Sequence, residues 1–284
     1  MFSNKRETDK LKLMCVLAHP DDESLALGGT LAKYASEGVW TYLISATRGE
    51  HGWLGAETDY PGPAALGSRR VVELAAAAQI LGLQAVILLE YQDGELAQAE
   101  PAGVISQLVT YLRKLRPHVV VTFDPFGAYG HPDHIAISQL TTAAVVAAAD
   151  PLCGHVDAQP AHRVSKLYYR VVTQTEAIAY QAVLGELAME VNGVERHFVA
   201  WPDWAVTTRL DTSAYWPQVR QAVACHQSQL PDLQTLQNLP DDQYRRLWGS
   251  QTYYRTFSLV NSGNREEDLF TGLRRESERL RRGD

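Results

Sequence analysis

The stretch "LKLMCVLAHPDDESLALGGTLAKYASEG", residues 11–38, decides how the whole chain is read. Its first part, 11–18, is a mostly apolar run that fits a strand buried on both faces. The run breaks into His19, Pro20, Asp21, Asp22 and Glu23. Adjacent carboxylates repel, and burying ionised ones is costly unless a cation or hydrogen-bond donors compensate. The stretch is therefore either a solvated turn or a place where something positive sits. Helical spacing resumes in 24–38, and Gly38 makes a C-terminal stop.

The same rhythm repeats downstream. Strand-like runs at 39–49, 84–90 and 118–124 alternate with helical segments at 67–83, 101–117 and 134–150. Ser68 reads as the N-cap and Gly82 as the C-cap of the first of these helices, and Pro101 opens the second. Strands alternating with helices of this length predict βαβ units. Such crossovers are right-handed, so the expected fold is α/β: a Rossmann-like, mostly parallel sheet with helices on both faces. Past Asp150 the pattern loosens into loop-rich additions. They include a strand at 166–172, a helix at 175–191, a strand at 205–211 and an interrupted helix at 213–229. Interleaved Arg and Glu at 264–282, with Leu269, Phe270, Leu273 and Leu280 on one stripe, predict a solvated, docked helix. The chain reads as one domain over 1–284, with its core in 11–150, a substrate-side portion in 151–260 and the charged tail.

Bulk properties narrow the function. A formal net charge of -7 argues against sequence-independent nucleic-acid binding, which needs a basic footprint. Three widely spaced cysteines (Cys15, Cys153, Cys225) form no disulfide framework and no CxxC zinc motif, so a reducing, cytoplasmic setting is expected. The polar start "MFSNKRETDK" lacks the apolar core of a signal peptide, and "AAVVAAA" (143–149) is too short to span a bilayer. No membrane partner is expected; homo-oligomerisation is left open.

In a parallel sheet, ligands bind beyond the carboxyl ends of the strands. The polar stretches "HPDDE" (19–23), "TRGEHG" (47–52), "YQDG" (91–94) and "DPFGAYGHPDH" (124–134) all fall there. His19 and Asp22 lie three apart across a turn fixed by Pro20, so both side chains can reach one ion, with Asp21 left to face its water. His131 and His134 repeat that spacing: one completes the ligand set, the other meets the substrate. Gly28 and Gly29 lie inside a helix without GxGxxG order, and no GxSxG elbow accompanies the histidines. Cys15, mid-strand, reads as packing.

"AHPDDE" together with "GHPDH" resembles the N-acetylglucosaminyl-phosphatidylinositol de-N-acetylase superfamily, the LmbE-like deacetylases. "TRGEHG", "RRVVELAAAAQILG", "YQDGEL" and the late "CHQSQ" extend the similarity from Leu13 to Gln229. "DPFGAYGHPDH" looks most like the bacterial enzymes that deacetylate GlcNAc-inositol in mycothiol synthesis. The resemblance implies His19, Asp22 and His134 as ligands of Zn2+, with Fe2+ as the alternative metal. It also implies Asp21 as general base and a protonated His131 as oxyanion or leaving-group donor. Arg70 would contact substrate, and Asp93 would touch the sugar or order its loop. Beside the resemblance, Glu23 reads as turning away to anchor the loop and His226 as a structural packing residue. Trp53, Trp201 and Trp204 are candidates for stacking on a sugar ring or for simple packing.

Such a site suits hydrolysis of the amide of a GlcNAc-type small molecule. A zinc-bound water has a pKa of about 7, and a positioned base adds about 10²- to 10⁴-fold. The products are acetate and a free amino sugar. The alternatives are an amidase on a mycothiol-type S-conjugate, a metal phosphoesterase with a second, bridged metal, and a non-catalytic sugar-binding protein.

Overall fold

The computed structural model describes residues 10–153, 159–185, 188–191, 193–229, 236 and 238–274. Its centre is β1 (Lys12–Leu17), whose unbroken apolar run is buried from Leu13 onward, with β2 (Trp40–Thr47) beside it. β3 (Ala85–Tyr91) follows on that side; β4 (Val119–Phe123) and β5 (Lys166–Val171) lie on the other. All four pairings among these strands are parallel. β9 (Ser250–Ser258) and β8 (Thr208–Asp211) add antiparallel to the edge, giving the order β3-β2-β1-β4-β5-β9-β8. The mostly parallel α/β fold expected from the alternation is the fold observed.

That order reverses between β1 and β4. The chain runs outward through β2 and β3, then returns to build β4 and β5 on the opposite side. The carboxyl ends of β1 and β4 therefore diverge into a crevice, the place where open α/β sheets bind ligands. On one face α1 (Asp22–Ser36) and α2 (Pro63–Leu81) pack against α7 (Trp216–Cys225). α3 (Pro101–Leu115) and α5 (Pro132–Ala149) pack together on the other, as right-handed crossovers require. Between α3 and α5 lies α4 (Gly127–Gly130), one distorted turn; α6 (Gln174–Leu184) and α8 (Asp241–Trp248) complete the described helices.

Several local readings change. α2 begins at Pro63, not Ser68: Pro63 presets the first-turn φ, and the Ser68 hydroxyl donates to the Ala64 carbonyl within the helix at 2.8 Å. Gly82 does close it, left-handed at φ 73°. The helix expected over 175–191 stops at Leu184 because Gly185 leaves helical geometry at φ 82°, ψ -154°. β6 (Ala188–Val191) and β7 (Val194–His197) then form a hairpin. The Asn192-Gly193 dipeptide was its sequence signal.

The tail differs more. Residues 264–274 are bends and turns rather than helix: Glu266 bridges to Thr208, and Leu269 and Phe270 are fully buried. The remainder of that expected helix, with Leu280, lies outside the described residues. β9, rich in Thr and Tyr, was not anticipated at all.

Candidate metal centre and active-site cavity

β1 ends into the turn that carries His19, and α5 opens with His131 as its N-cap, placing His134 on its first turn. The two segments meet across the crevice. His19 Nδ1 and His134 Nε2 stand 3.1 Å apart. Asp22 Oδ1 lies 3.4 Å from His134 Nε2, and Asp22 Oδ2 lies 3.7 Å from His19 Nδ1. Donors bound at 2.0–2.1 Å around a tetrahedral ion are about 3.3 Å from one another. The two imidazole nitrogens stand at that separation while Asp22 presents a different oxygen to each, a donor set whose chemistry suits a divalent metal. His19, His131 and His134 also satisfy the spacing for one ion, so His131 is a second way of closing the triangle.

The surroundings orient these groups. The His134 ring stacks on Phe123 at 3.9 Å and 7°, which fixes its plane. The other nitrogen of His19, Nε2, faces Asp93 Oδ1 at 3.0 Å and Asp133 Oδ2 at 3.3 Å. A carboxylate behind a ligating histidine fixes its tautomer and raises its basicity. Asp133, treated in the sequence only as a spacer within "GHPDH", is fully buried and also accepts the Gly94 and Leu96 N–H groups. Asp93 accepts the His51 N–H.

The same groups perturb one another electrostatically. Burial opposes a charge on His19, yet the bonds to Asp133 and Asp93 and the charge of Asp22 push it up to about 10. Burial pushes Asp22 up to about 7, against the pull of His19. Asp93 is held well below the carboxylate range: its bond and attraction to His19 outweigh burial. His131 goes the other way, driven down to about 4 by burial and by His19. Its Nδ1 accepts the Asp133 N–H at 3.1 Å, so the neutral ring carries its proton on Nε2.

Asp21 sits beside the triangle with φ 104° and ψ -30°, a backbone region that L residues rarely occupy. Arg70 Nη2 bonds Asp21 Oδ2 at 2.9 Å and the Pro20 carbonyl, while Nη1 bonds the Gly49 carbonyl at 2.7 Å. No partner contacts Asp21 Oδ1 among the described residues. Burial raises the Asp21 carboxyl above its usual value against the opposing charge of Arg70. Gly49 is required by this packing: at φ 65°, a Cβ there would collide with the Arg70 guanidinium. Arg70, not its neighbour, faces inward; Arg69 lies outside, paired with Glu73.

Glu23 turns away from the triangle. Its Oε2 accepts the Asp21 N–H at 3.0 Å, and its Oε1 meets His226 Nε2 at 2.7 Å. Burial would raise the Glu23 carboxyl, but the charge and bond of His226 hold it below its usual value.

A cavity of about 540 Å³ opens over these residues, with His19, Asp21, Asp22, Arg70, Asp93 and His131 in its lining. His51, Trp53, Tyr129, Glu190 and Gln229 complete the wall. His134 is buried just beneath. All seven site residues chosen from the sequence therefore converge. Trp201 does not line the cavity; its indole N–H donates to Asp124 and its ring packs near Tyr254. Trp204 is 81% exposed. Tyr129 was missed, although it lies inside the quoted "GAYGHPDH": Ala128 at φ 61° turns the chain so that the Tyr129 ring packs edge-on to His134 at 5.2 Å. Glu190 was missed because it stands on the unforeseen hairpin.

The family model described as PIG-L, GlcNAc-PI de-N-acetylase, matches residues 14–145. The 1D-myo-inositol 2-acetamido-2-deoxy-alpha-D-glucopyranoside deacetylase of Rhodococcus jostii (strain RHA1) is 35% identical over 248 residues, covering 77% of this chain and 82% of its own. The N,N'-diacetylchitobiose deacetylase of Pyrococcus horikoshii superposes with a TM-score of 0.64 at 20% identity, covering 88% of this chain and 85% of that one. The 4-carboxy-2-hydroxymuconate hydratase of Pseudomonas putida KT2440 does so at 0.61 and 19%, covering 89% and 99%. A fold shared with a hydratase leaves the reaction to be read from the site. On the length and identity of the sequence match, this chain belongs to the PIG-L family of GlcNAc-PI de-N-acetylases.

Proposed function

We propose that this protein is a metal-dependent hydrolase that removes the N-acetyl group from a small GlcNAc-type conjugate, giving acetate and a free amino sugar. One observation carries the reading: a carboxylate with an open oxygen, Asp21, stands beside two imidazoles and a carboxylate spaced for one divalent ion. His19, Asp22 and His134 are the proposed ligands, with Zn2+ or Fe2+ as the metal. When bound, such an ion polarises the acetamide carbonyl and acidifies water.

The remaining work falls to side chains. Asp21 Oδ1 takes the proton of the attacking water, its carboxylate held in place by Arg70. A raised pKa suits it to pass that proton on to the departing amine. The His131 Nε2–H donates to the carbonyl oxygen as charge develops there; losing one such donor costs about 3–4 kcal/mol. Arg70 is committed to Asp21 and two backbone carbonyls, so we assign it to positioning rather than to sugar recognition. Asp93 orders the His51 loop and supports His19.

A phosphoesterase would need a second metal and a bridging carboxylate. His19, Asp93 and Asp133 also satisfy the spacing for an ion, although both carboxylates already accept backbone N–H groups, so the metal content per chain separates the two readings. Among the described residues no helix is long and apolar enough to cross a membrane, in keeping with a small polar substrate. We assign the reaction to the cytoplasm, where three thiols in no disulfide suit a reducing medium.

The test is release of acetate and a primary amine from GlcNAc-inositol. Activity should vanish with a chelator and return with one equivalent of Zn2+ or Fe2+ per chain. Binding of the conjugate without amine release, at full metal loading, would overturn the proposal.

A further inference from the structure

We infer that the buried pair His226–Glu23 is a positioning device for Asp21, a role that rests on reading Asp21 as the proton acceptor. Both residues are fully buried, and His226 neither lines the cavity nor belongs to the ligand triangle. His226 comes from the residue after α7, 203 positions from Glu23, and reaches it with Nε2 at 2.7 Å.

What Glu23 holds is the backbone of Asp21. Glu23 Oε2 accepts the Asp21 N–H at 3.0 Å, while Oε1 gathers His226 and the Ser24 hydroxyl. A non-glycine residue stays at φ 104° only where its surroundings over-determine it. Asp21 has two such restraints: Arg70 grips its side chain, and Glu23 grips its N–H. The segment after α7 braces both. His226 fixes Glu23, and two residues on Ser228 donates through its N–H (2.8 Å) and hydroxyl (2.6 Å) to Glu73, one turn beyond Arg70 on α2. A pair far along the chain from the motif thus sets the geometry of the reacting carboxylate.

The experiment uses the zinc-loaded protein. His226→Leu fills the space but removes the donor to Glu23; His226→Gln keeps an N–H donor. For the leucine variant, kcat on a GlcNAc conjugate should fall about 10²-fold, the scale of a 1 Å misplacement. Its KM and zinc content should stay at wild-type values, and the glutamine variant should recover most of kcat. A crystal structure of the leucine variant should show Asp21 relaxed from φ 104°.

Wild-type kcat in the leucine variant, parallel losses of KM and zinc, or an unmoved Asp21 would each overturn the inference. If that variant does not fold, Glu23→Gln is read the same way. The two donors reach different oxygens of Glu23, and the amide replaces one of these with an NH2, so kcat falls while KM holds; unchanged kcat overturns the role. If the wild-type protein hydrolyses no GlcNAc amide, the function reading fails by itself, and the Asp21 backbone in the Glu23→Gln crystal decides this one.

Discussion

At the scale of single residues, the proposed reading separates holding an ion from moving a proton. His134 contributes one nitrogen to the triangle and lies buried against Phe123, so His134→Ala should strip the metal, read as metal content per chain. Asp21→Asn removes the proposed base but leaves His19, Asp22 and His134 unchanged. Turnover should fall by about 10²- to 10⁴-fold with metal retained, and loss of metal in that variant would place Asp21 among the ligands. Arg70→Lys is a finer test. A guanidinium forks to Asp21, Pro20 and Gly49 at once, which an ammonium on a flexible stem does not reproduce. We expect kcat to drop while KM changes little; a rise in KM alone would return Arg70 to the substrate.

At the scale of elements, the helix starts show which local signals are decisive. Glu100 caps α3 as a side chain should, accepting the Ala102 and Gly103 N–H groups, and Thr173 with Glu176 forms a reciprocal capping box on α6. Ser68 only resembles a cap. It lies inside α2 with its hydroxyl turned back on Ala64, and Pro63 supplies the start. Ser68→Ala should therefore leave thermal stability within about 0.5 kcal/mol of wild type, where loss of a true N-cap costs about 1 kcal/mol. Gly185 is equally visible in the sequence, and its departure from helical geometry outweighs the apolar periodicity that runs past it. It separates a helix from the hairpin that brings Glu190 to the cavity wall.

At the scale of the whole molecule, a buried charge cluster ties the late strands to the early sheet. Lys166 on β5 meets Glu266 at 2.5 Å with both side chains fully buried, and Arg255 and Tyr168 share the same carboxylate. Burial would raise Glu266, but the bonds from Lys166, Ser262 and Tyr168 hold it below its usual value. A folded-state pKa below the unfolded one means stability that is present above the ordinary carboxylate range. It is lost as pH falls through the depressed value. Thermal midpoints of the wild type should accordingly fall on acidification more steeply than those of Glu266→Gln. Removing the partner outright, Glu266→Ala, strands Lys166 and should cost about 3–5 kcal/mol. Equal acid sensitivity in wild type and Glu266→Gln would refute the link.

The sequence by itself determined the parallel core and the set of chemical residues. Short unbroken apolar runs such as Leu13–Leu17 fit strands buried on both faces, and their loops then collect at one edge of the sheet. Tertiary structure alone decided three further things. It chose Arg70 over Arg69, because which side of α2 meets the cavity depends on packing against α1 and α7. It gave Asp133 and Tyr129 their places, since a residue between two histidines shows its partners only once β1 and α5 meet. And it joined His226 to Glu23, a contact between positions so distant in the chain that no local pattern encodes it; chain topology, through the return of α7 onto α1 and α2, does.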